Sequence, residues 1–197
     1  SFALAKKMED IRSNEALGYR TAGSEAELQT GDMLKAEMEA IGLSDVTKDA
    51  FTLDTWTFET AQLTYPTADG SEITAELGGY QTDFSTGGSQ AYTIIDGGQG
   101  TEADLEGLDV TGKLVLIDIN QRENWWINYP AYEAHLHGAA AVIAAQDGGY
   151  AEVSDDALNA QDVCGPADAP AFSISRTDAD ALRASMAAAG TNELAVS

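Results

Sequence analysis

The sequence is poor in the residues that most often carry chemistry: it holds one cysteine, two histidines and ten basic residues in 197. The single Cys164 excludes an intrachain disulfide, and nothing in its loop-like surroundings pairs it with a base. Ten basic residues against 33 acidic ones give a net charge of −23, which argues against binding nucleic acid or anionic lipid through the general field of the protein. We therefore expect no nucleic-acid partner.

Long apolar runs are also lacking, since no stretch approaches the roughly 20 residues that a membrane-spanning helix needs. The amino-terminal residues SFALAKKMEDI carry charges early and show no apolar core of a signal peptide. Hydrophobic residues nevertheless make up 44% of the chain. That fraction predicts a folded core rather than a disordered chain.

The amino-terminal third is helical in pattern. Ser24 followed by Glu27 predicts a capping box at the start of a helix over residues 24–41, and Gly42 predicts its end. A shorter helix is expected over residues 2–11. The apolar residues of the longer helix recur on one face at helical spacing: Leu28, Leu34, Met38 and Ile41.

From Phe51 onward the pattern changes to alternation rich in threonine and aromatic residues, which predicts strand over residues 51–66. Further strands are expected at Ile73–Leu77, Ala91–Ile95, Lys113–Ile119, 139–145 and 170–175, with the carboxy-terminal residues NELAVS beginning another. Helices are expected over residues 130–137 and 177–190, the second capped by Thr177. The order predicts a mixed α/β, or α+β, domain after a helical arm.

Both histidines lie in the stretch EAHLHGAAAVIAA, at His135 and His137. On a strand the two side chains would share a face and suggest a metal site, whereas on a helix they point about 200° apart. Pro130 and Gly138 bracket a helix, so the sequence favours histidines at a helix end. The small residues Ala134 and Gly138–Ala140 indicate close packing of that helix on a sheet.

Several segments together resemble the protease-associated (PA) domain. A Gly-Lys-apolar-Val-Leu strand is followed by a short helix, a Gly-Ala-x-x-Val-Ile strand, and a Pro-Ala strand before a helix. The matching residues are Gly112, Lys113, Val115, Leu116, Ala134, Gly138, Ala139, Val142, Ile143, Pro170, Ala171, Ile174, Ser175 and Leu182.

The amino-terminal segment GYRTAGSEAELQTGDMLKAEMEAIGL resembles the start of the two-zinc aminopeptidases and glutamate carboxypeptidase-like peptidases, which open with a Gly-x-Arg-x-x-Gly-Ser turn and a long helix. Gly18, Arg20, Gly23 and Ser24 match that turn. Residues 84–113 are similar to the stretch that leads into the PA domain inserted in those enzymes. The resemblance covers nearly the whole chain, but only the front part of such an enzyme.

The resemblance implies an α+β fold in which a barrel-like or sandwich-like sheet with short flanking helices follows a helical arm. It divides the chain into an arm of the peptidase domain, 1–55, and a PA domain, 56–197. The resemblance places the family's metal ligands after the PA insertion, so we expect no catalytic residue, metal ligand or cofactor in this chain. Zinc is expected in the peptidase domain of the longer protein, hereafter the parent protein.

One segment departs from the family pattern. Where many PA domains have a basic or Phe-x-x-Lys segment ahead of the helix, this chain reads QRENWWINYPAY. Trp125, Trp126 and Tyr129 either cap the core under the helix or form an exposed aromatic surface for a substrate or partner. In the second interpretation they are the candidate site residues.

These features predict a non-catalytic fragment of a zinc-dependent, aminopeptidase-like exopeptidase that serves substrate access or protein interaction. The resemblance implies a peptide or protein substrate, bound through the parent protein, and an extracellular or cell-surface location. Self-association through residues 24–41 is a further possibility, since their apolar face would lack its native partner. Two alternatives stay open: a stand-alone PA-type binding module without a peptidase domain, and a metal-dependent hydrolase that uses the two histidines.

Overall fold

The computed structural model describes residues 2–13, 20–79, 83–120, 122, 128–149, 153–158 and 168–197. The chain divides into two compact units, Ser1–Phe58 and Glu59–Ser197. Among the described residues, strands occur only in the second unit. No helix in these ranges combines the length and the apolar character needed to cross a membrane.

The first unit contains α1, Phe2–Glu9, and α2, Glu25–Ala40. The Ser24 hydroxyl accepts a hydrogen bond from the backbone N–H of Glu27 at 3.1 Å, as predicted. The Glu27 carboxylate, however, accepts from the N–H of Gly23 at 3.3 Å, one residue before the position that a capping box requires. Gly42, with φ +94°, ends α2 as predicted.

The contacts in the turn before α2 account for the residues that the sequence has there. Arg20 donates from Nη1 to the carbonyl oxygen of Met8 at 2.8 Å and so joins the turn to α1. Gly23 has φ +79°, and a Cβ there would lie 2.5 Å from the Thr55 methyl carbon. Only glycine accommodates both the left-handed backbone and this close approach. Arg20, Gly23 and Ser24 therefore have structural roles in this turn.

The expected long strand over residues 51–66 is wrong in its first two thirds. In the structure, strand begins only at Gln62. Alternation alone does not make a strand, because a strand needs a neighbour with which to pair. Phe51 and Leu53 are exposed and lie in the first unit, whose described residues form no sheet.

The second unit contains the predicted elements in the predicted order, together with one short helix and one short strand that were not predicted. Its strands are β1 (Gln62–Pro66), β2 (Glu72–Glu76), β3 (Gly78–Gly79), β4 (Tyr92–Asp96), β5 (Leu114–Asn120), β6 (Ala141–Gly148), β7 (Ala171–Ile174) and β8 (Glu193–Val196). Its helices are α3 (Glu102–Leu105), α4 (Asn128–Leu136) and α5 (Arg176–Ala189). Ser175, rather than the expected Thr177, is the N-cap of α5, because its hydroxyl accepts from the N–H of Asp178 at 3.0 Å.

Six strands form one sheet in the order β3-β7-β6-β5-β4-β8, and β1 pairs with β2 as an antiparallel hairpin. The four central strands, β4 to β7, are parallel, and both edge strands are antiparallel to their neighbours. The hairpin connects the two edges of the sheet. Thr64 exchanges two backbone hydrogen bonds with Ser197, directly after β8, while β2 continues through Leu77 into β3. This arrangement is the mixed α+β, barrel-like sheet that the sequence predicts.

The sheet carries a core on each face, since successive side chains point to opposite sides. On one face α5 and the hairpin pack over Ile94, Leu116, Ile143 and their neighbours. On the other face α3 and α4 pack over Ile95, Val115, Ile117 and Val142. The outward-facing side of α4 is therefore the side turned away from this second core.

The end of α4 is set by Gly138. Its N–H donates to the carbonyl of His135 at 2.8 Å, and the N–H of Ala139 donates to that of Ala134 at 3.0 Å. These two bonds, with φ +86° at Gly138, form a Schellman motif. A Cβ at Gly138 would meet Thr111 at 3.6 Å, which is an ordinary contact. The backbone conformation, rather than crowding, therefore requires glycine here.

We predict that Gly138→Ala lowers the free energy of unfolding by about 1–2 kcal/mol, because a Cβ strains the left-handed backbone. Gly138→Asn should cost clearly less, since asparagine tolerates this conformation better. Urea denaturation followed by circular dichroism measures both. If the larger asparagine costs more than alanine, crowding against Thr111 is the cause and the conformational account fails.

Candidate functional site

The predicted aromatic surface is described only in part. Trp125 and Trp126 lie outside the described residues, so the choice between core cap and exposed surface stays a prediction for them. Tyr129 lies in the first turn of α4 with 48% of its surface exposed. The surface that can be built from described residues is therefore that of α4.

The inner side of α4 is made of small residues. Ala131 and Ala134 are buried and lie in the same core as Val142 and Ala144 of β6. Small side chains let the helix axis approach the sheet closely, as the sequence predicts. This packing fixes the orientation of α4 and hence of everything on its opposite side.

The opposite side of α4 carries the large apolar residues. Tyr129, Tyr132 and Leu136, hereafter the outer face of α4, are 48%, 45% and 61% exposed. They stand at positions i, i+3 and i+7, which share one side of a helix. Of these three residues, the sequence analysis singled out only Tyr129. The i, i+3, i+7 spacing was the signal that would have identified Tyr132 and Leu136 as well.

Acidic groups flank the outer face at its amino-terminal end. The pKa of Tyr129 is raised from its ordinary value, first by loss of hydration and then by the negative charges of Glu133 and Glu102. One carboxylate of its own helix and one of α3 therefore act on Tyr129. A phenol ring on which two carboxylates act is an environment that favours a cation.

The two histidines take separate partners. His135 Nε2 lies 3.6 Å from the Asp168 carboxylate, and its ring stacks on Tyr132 with a centroid separation of 6.4 Å. His137 Nε2 lies 3.3 Å from the Glu133 carboxylate. Within the described parts of the chain, no three histidine, cysteine, aspartate or glutamate residues come together as metal ligands. Cys164 lies outside those parts, so the expectation of a chain without zinc stays a prediction.

Sequence reasoning missed a charged cluster at the carboxyl ends of the parallel strands. Arg183 of α5 donates from Nε to Asp96 of β4 at 3.2 Å and from Nη1 to Asp118 of β5 at 3.0 Å. Burial raises the pKa of Asp118, and the Arg183 charge offsets part of that rise. Burial also acts against the charge of Arg183, yet its bonds to the two carboxylates raise the pKa of the guanidinium overall.

The signal for this cluster is visible in the sequence. Three of the buried parallel strands carry an aspartate near their carboxyl ends: Asp96, Asp118 and Asp147. Asp147 pairs with Arg176, the first residue of α5, at 3.0 Å. Each arginine is therefore committed to carboxylates of the same unit. The arrangement ties α5 to the sheet.

We predict that Arg183→Met destabilises the protein at pH 7 by about 1–3 kcal/mol, since half-buried carboxylates lose their counter-ion. The pKa of Asp118, already raised, rises further without the guanidinium. A carboxyl whose folded pKa is raised weakens the fold as pH rises through that pKa. The deficit should therefore be larger at pH 7 than at pH 4.5.

The matched control is the double variant Arg183→Met/Asp118→Asn, in which the uncompensated charge is removed. Urea denaturation at the two pH values should show that this variant regains part of the stability at pH 7 and depends less on pH. A deficit of equal size at both pH values would show that Arg183 acts through packing alone.

Comparisons with known proteins concern the fold and the family of the chain. No curated protein sequence matches the chain. Among solved structures, a zinc aminopeptidase from Bacillus subtilis aligns over 98% of this chain and 42% of its own, with 19% identity and a TM-score of 0.62. An aminopeptidase from Aneurinibacillus sp. strain AM-1 aligns over 98% of this chain and 42% of its own, with 20% identity and a TM-score of 0.53.

A peptidase M28 precursor from Shewanella amazonensis aligns over 99% of this chain and 48% of its own, with 19% identity and a TM-score of 0.59. At these identities the likeness concerns the fold. The chain spans less than half the length of each of these three structures. The model of the PA domain family matches residues 59–182, which is more than half of the chain. The chain therefore belongs to the PA domain family.

Proposed function

We propose that this chain is the non-catalytic front part of a zinc-dependent, aminopeptidase-like exopeptidase, in which the PA domain controls substrate access or binds protein. The observation that carries the proposal is the alignment of both units, over 98% of the chain, with less than half of a zinc aminopeptidase. A PA domain alone would leave the amino-terminal unit without a counterpart. Here the counterpart includes that unit.

The packing of the first unit supports the proposal. Of its described residues, only Ala26 and Thr30 are buried. Leu28, Met38 and Ile41 of the expected apolar face are exposed, Ile41 to 77%. An apolar face of this kind is typical of a surface that another domain covers, and in the proposal that domain is the peptidase domain.

Zinc belongs to the peptidase domain of the parent protein in this proposal, and the described residues of this chain do not fit it. A catalytic zinc needs three protein ligands, whereas each histidine here is paired with a single carboxylate. No chemical step is assigned to this chain. Its proposed contribution is to bind and orient a peptide or protein near the active site of the parent protein.

The parent protein is proposed to act outside the cell or at its surface. One of the aligned structures is described as a precursor. The net charge of −23 makes copies of the chain repel one another, which favours solubility. The alternative of a stand-alone binding module is favoured by one observation. The second unit closes its own sheet and has a core on each face.

We predict that the longer polypeptide encoded with this segment hydrolyses aminoacyl-p-nitroanilides, that chelators abolish the activity and that zinc restores it. The 197-residue chain, measured under the same conditions, is the control and should be inactive. The assay follows p-nitroaniline release. A reading frame that encodes no further domain, or a longer protein without chelator-sensitive activity, leaves the stand-alone module as the function.

We further predict that the 197-residue chain self-associates through α2, because the exposed apolar residues of this helix lack a cover. Sedimentation velocity should show association that strengthens with salt, since salt screens the repulsion between chains of charge −23. Leu28→Glu/Ile41→Glu should abolish it. Phe2→Glu, at an exposed position of α1, is the control. Association that persists in the double variant would place the contact elsewhere.

A further inference from the structure

The outer face of α4 reverses the usual arrangement of a surface helix. A surface helix normally turns its large apolar residues toward the core and its polar residues outward. In α4 the inward residues are alanines, and the outward residues are Tyr129, Tyr132 and Leu136. Since about half of each outward side chain is exposed, that half is contact area that the fold itself does not use. Their chemistry is therefore available to a partner.

The length of this face sets the size of what it can hold. Tyr129 and Leu136 are seven residues apart, about 10 Å along a helix axis. An extended peptide covers that distance with three or four residues. The face is therefore matched to a short stretch of unfolded chain rather than to a broad, flat protein surface.

The charges around the face select the partner. The charges of Glu133 and Glu102 both act on Tyr129, and Asp168, 72% exposed, lies 3.6 Å from His135 beside Tyr132. The Glu133 side chain is 13% exposed and lies 3.3 Å from His137, so Glu102 and Asp168 are the more accessible carboxylates. A lysine or arginine placed over the Tyr129 ring would gain both a cation–π contact and carboxylate neighbours. At this face a second copy of the chain would bring a further charge of −23 against the same carboxylates, and the repulsion disfavours it there.

We propose that the outer face of α4, together with Glu102 and Glu133, binds an unfolded peptide segment in which basic and apolar residues alternate. The inference rests on the proposed role of the PA domain in binding substrate, and it names the chemical class of that substrate. The aromatic and aliphatic side chains hold the apolar residues of the peptide. The carboxylates hold its basic residues and draw it in from solution.

Binding is tested with the 197-residue chain and a short fluorescein-labelled peptide of alternating arginine and leucine, by fluorescence anisotropy at low and high salt. Two comparison peptides replace arginine by glutamate or leucine by serine. The basic, apolar peptide should bind, weaken at high salt, and bind better than either comparison peptide. Equal binding of the acidic peptide, or no binding of the basic one, overturns the proposal.

Variants locate the site. Tyr129→Ser/Tyr132→Ser should weaken binding about tenfold or more, and Leu136→Ser should weaken it to a smaller extent. All three positions are exposed, so circular dichroism should show an unchanged fold. Phe51→Ser, which removes an exposed aromatic ring in the first unit, is the matched control and should leave binding unchanged.

The charges are tested in the same way. Glu102→Gln/Glu133→Gln should weaken binding about two- to fivefold at low salt and should flatten the salt dependence. Glu72→Gln/Glu76→Gln, on the exposed strand β2, removes the same net charge and is the control. If the two double variants weaken binding equally, the peptide is attracted only by the overall negative charge of the protein. That result would contradict the proposed site.

Sedimentation velocity separates this proposal from its rival, a contact between copies of the chain. A dimer that the Tyr129→Ser/Tyr132→Ser variant dissolves, and that the peptide does not displace, overturns peptide binding in favour of self-association. The test is also independent of the proposed peptidase. Binding is measured without any hydrolysis. Absence of peptide binding would therefore contradict this inference alone, and absence of peptidase activity in the longer protein would contradict the proposed function.

Discussion

Two backbone hydrogen bonds between Thr64 and Ser197 fasten the hairpin to β8, and the rest of the second unit depends on this connection. Of the four parallel strands, the outer two, β7 and β4, have a second neighbour only because β3 and β8 cover them. Those two short strands are in turn attached to β1 and to β2. An open edge would expose unpaired N–H and carbonyl groups, whereas this closure pairs them and holds α5 and α4 on defined faces.

The sequence predicted features that local chemistry decides. Ser24, Gly42 and Gly138 mark helix ends through hydrogen bonds to residues only a few positions away, and each is found where the pattern placed it. Strands rich in valine and isoleucine, such as β5 and β6, were predicted because continuous burial leaves an apolar run. The PA family followed from several such segments in a fixed order.

Features that depend on distant partners were not predicted. Nothing local in the alternating residues 51–61 reveals that they lack a pairing strand. The contacts of Arg183 join α5 to strands 65 and 87 residues earlier in the chain. The N-cap of α5 was misplaced by two residues because Ser175 and Thr177 are both residues that cap helices. Only the position of β7 decides between them.

The sheet beneath α4 accounts for the difference between the inner and the outer side of this helix. The inner positions Ala131 and Ala134 belong to the core that Val142 and its neighbours form, so a change there alters the packing of the helix on the sheet. The outer positions are free of that constraint, so their residues can change without cost to the core. A family that keeps this helix could therefore vary its recognition chemistry while preserving its architecture.

The bonds between Thr64 and Ser197 also bring the start of the hairpin and the residue after β8 side by side. A unit whose two ends meet can be placed within a single surface loop of a host domain without forcing apart the residues on either side. The closure entropy of such an arrangement is small, because the folded unit itself supplies the short distance between the ends. Such a unit can then fold as a cooperative body separate from the domain that carries it.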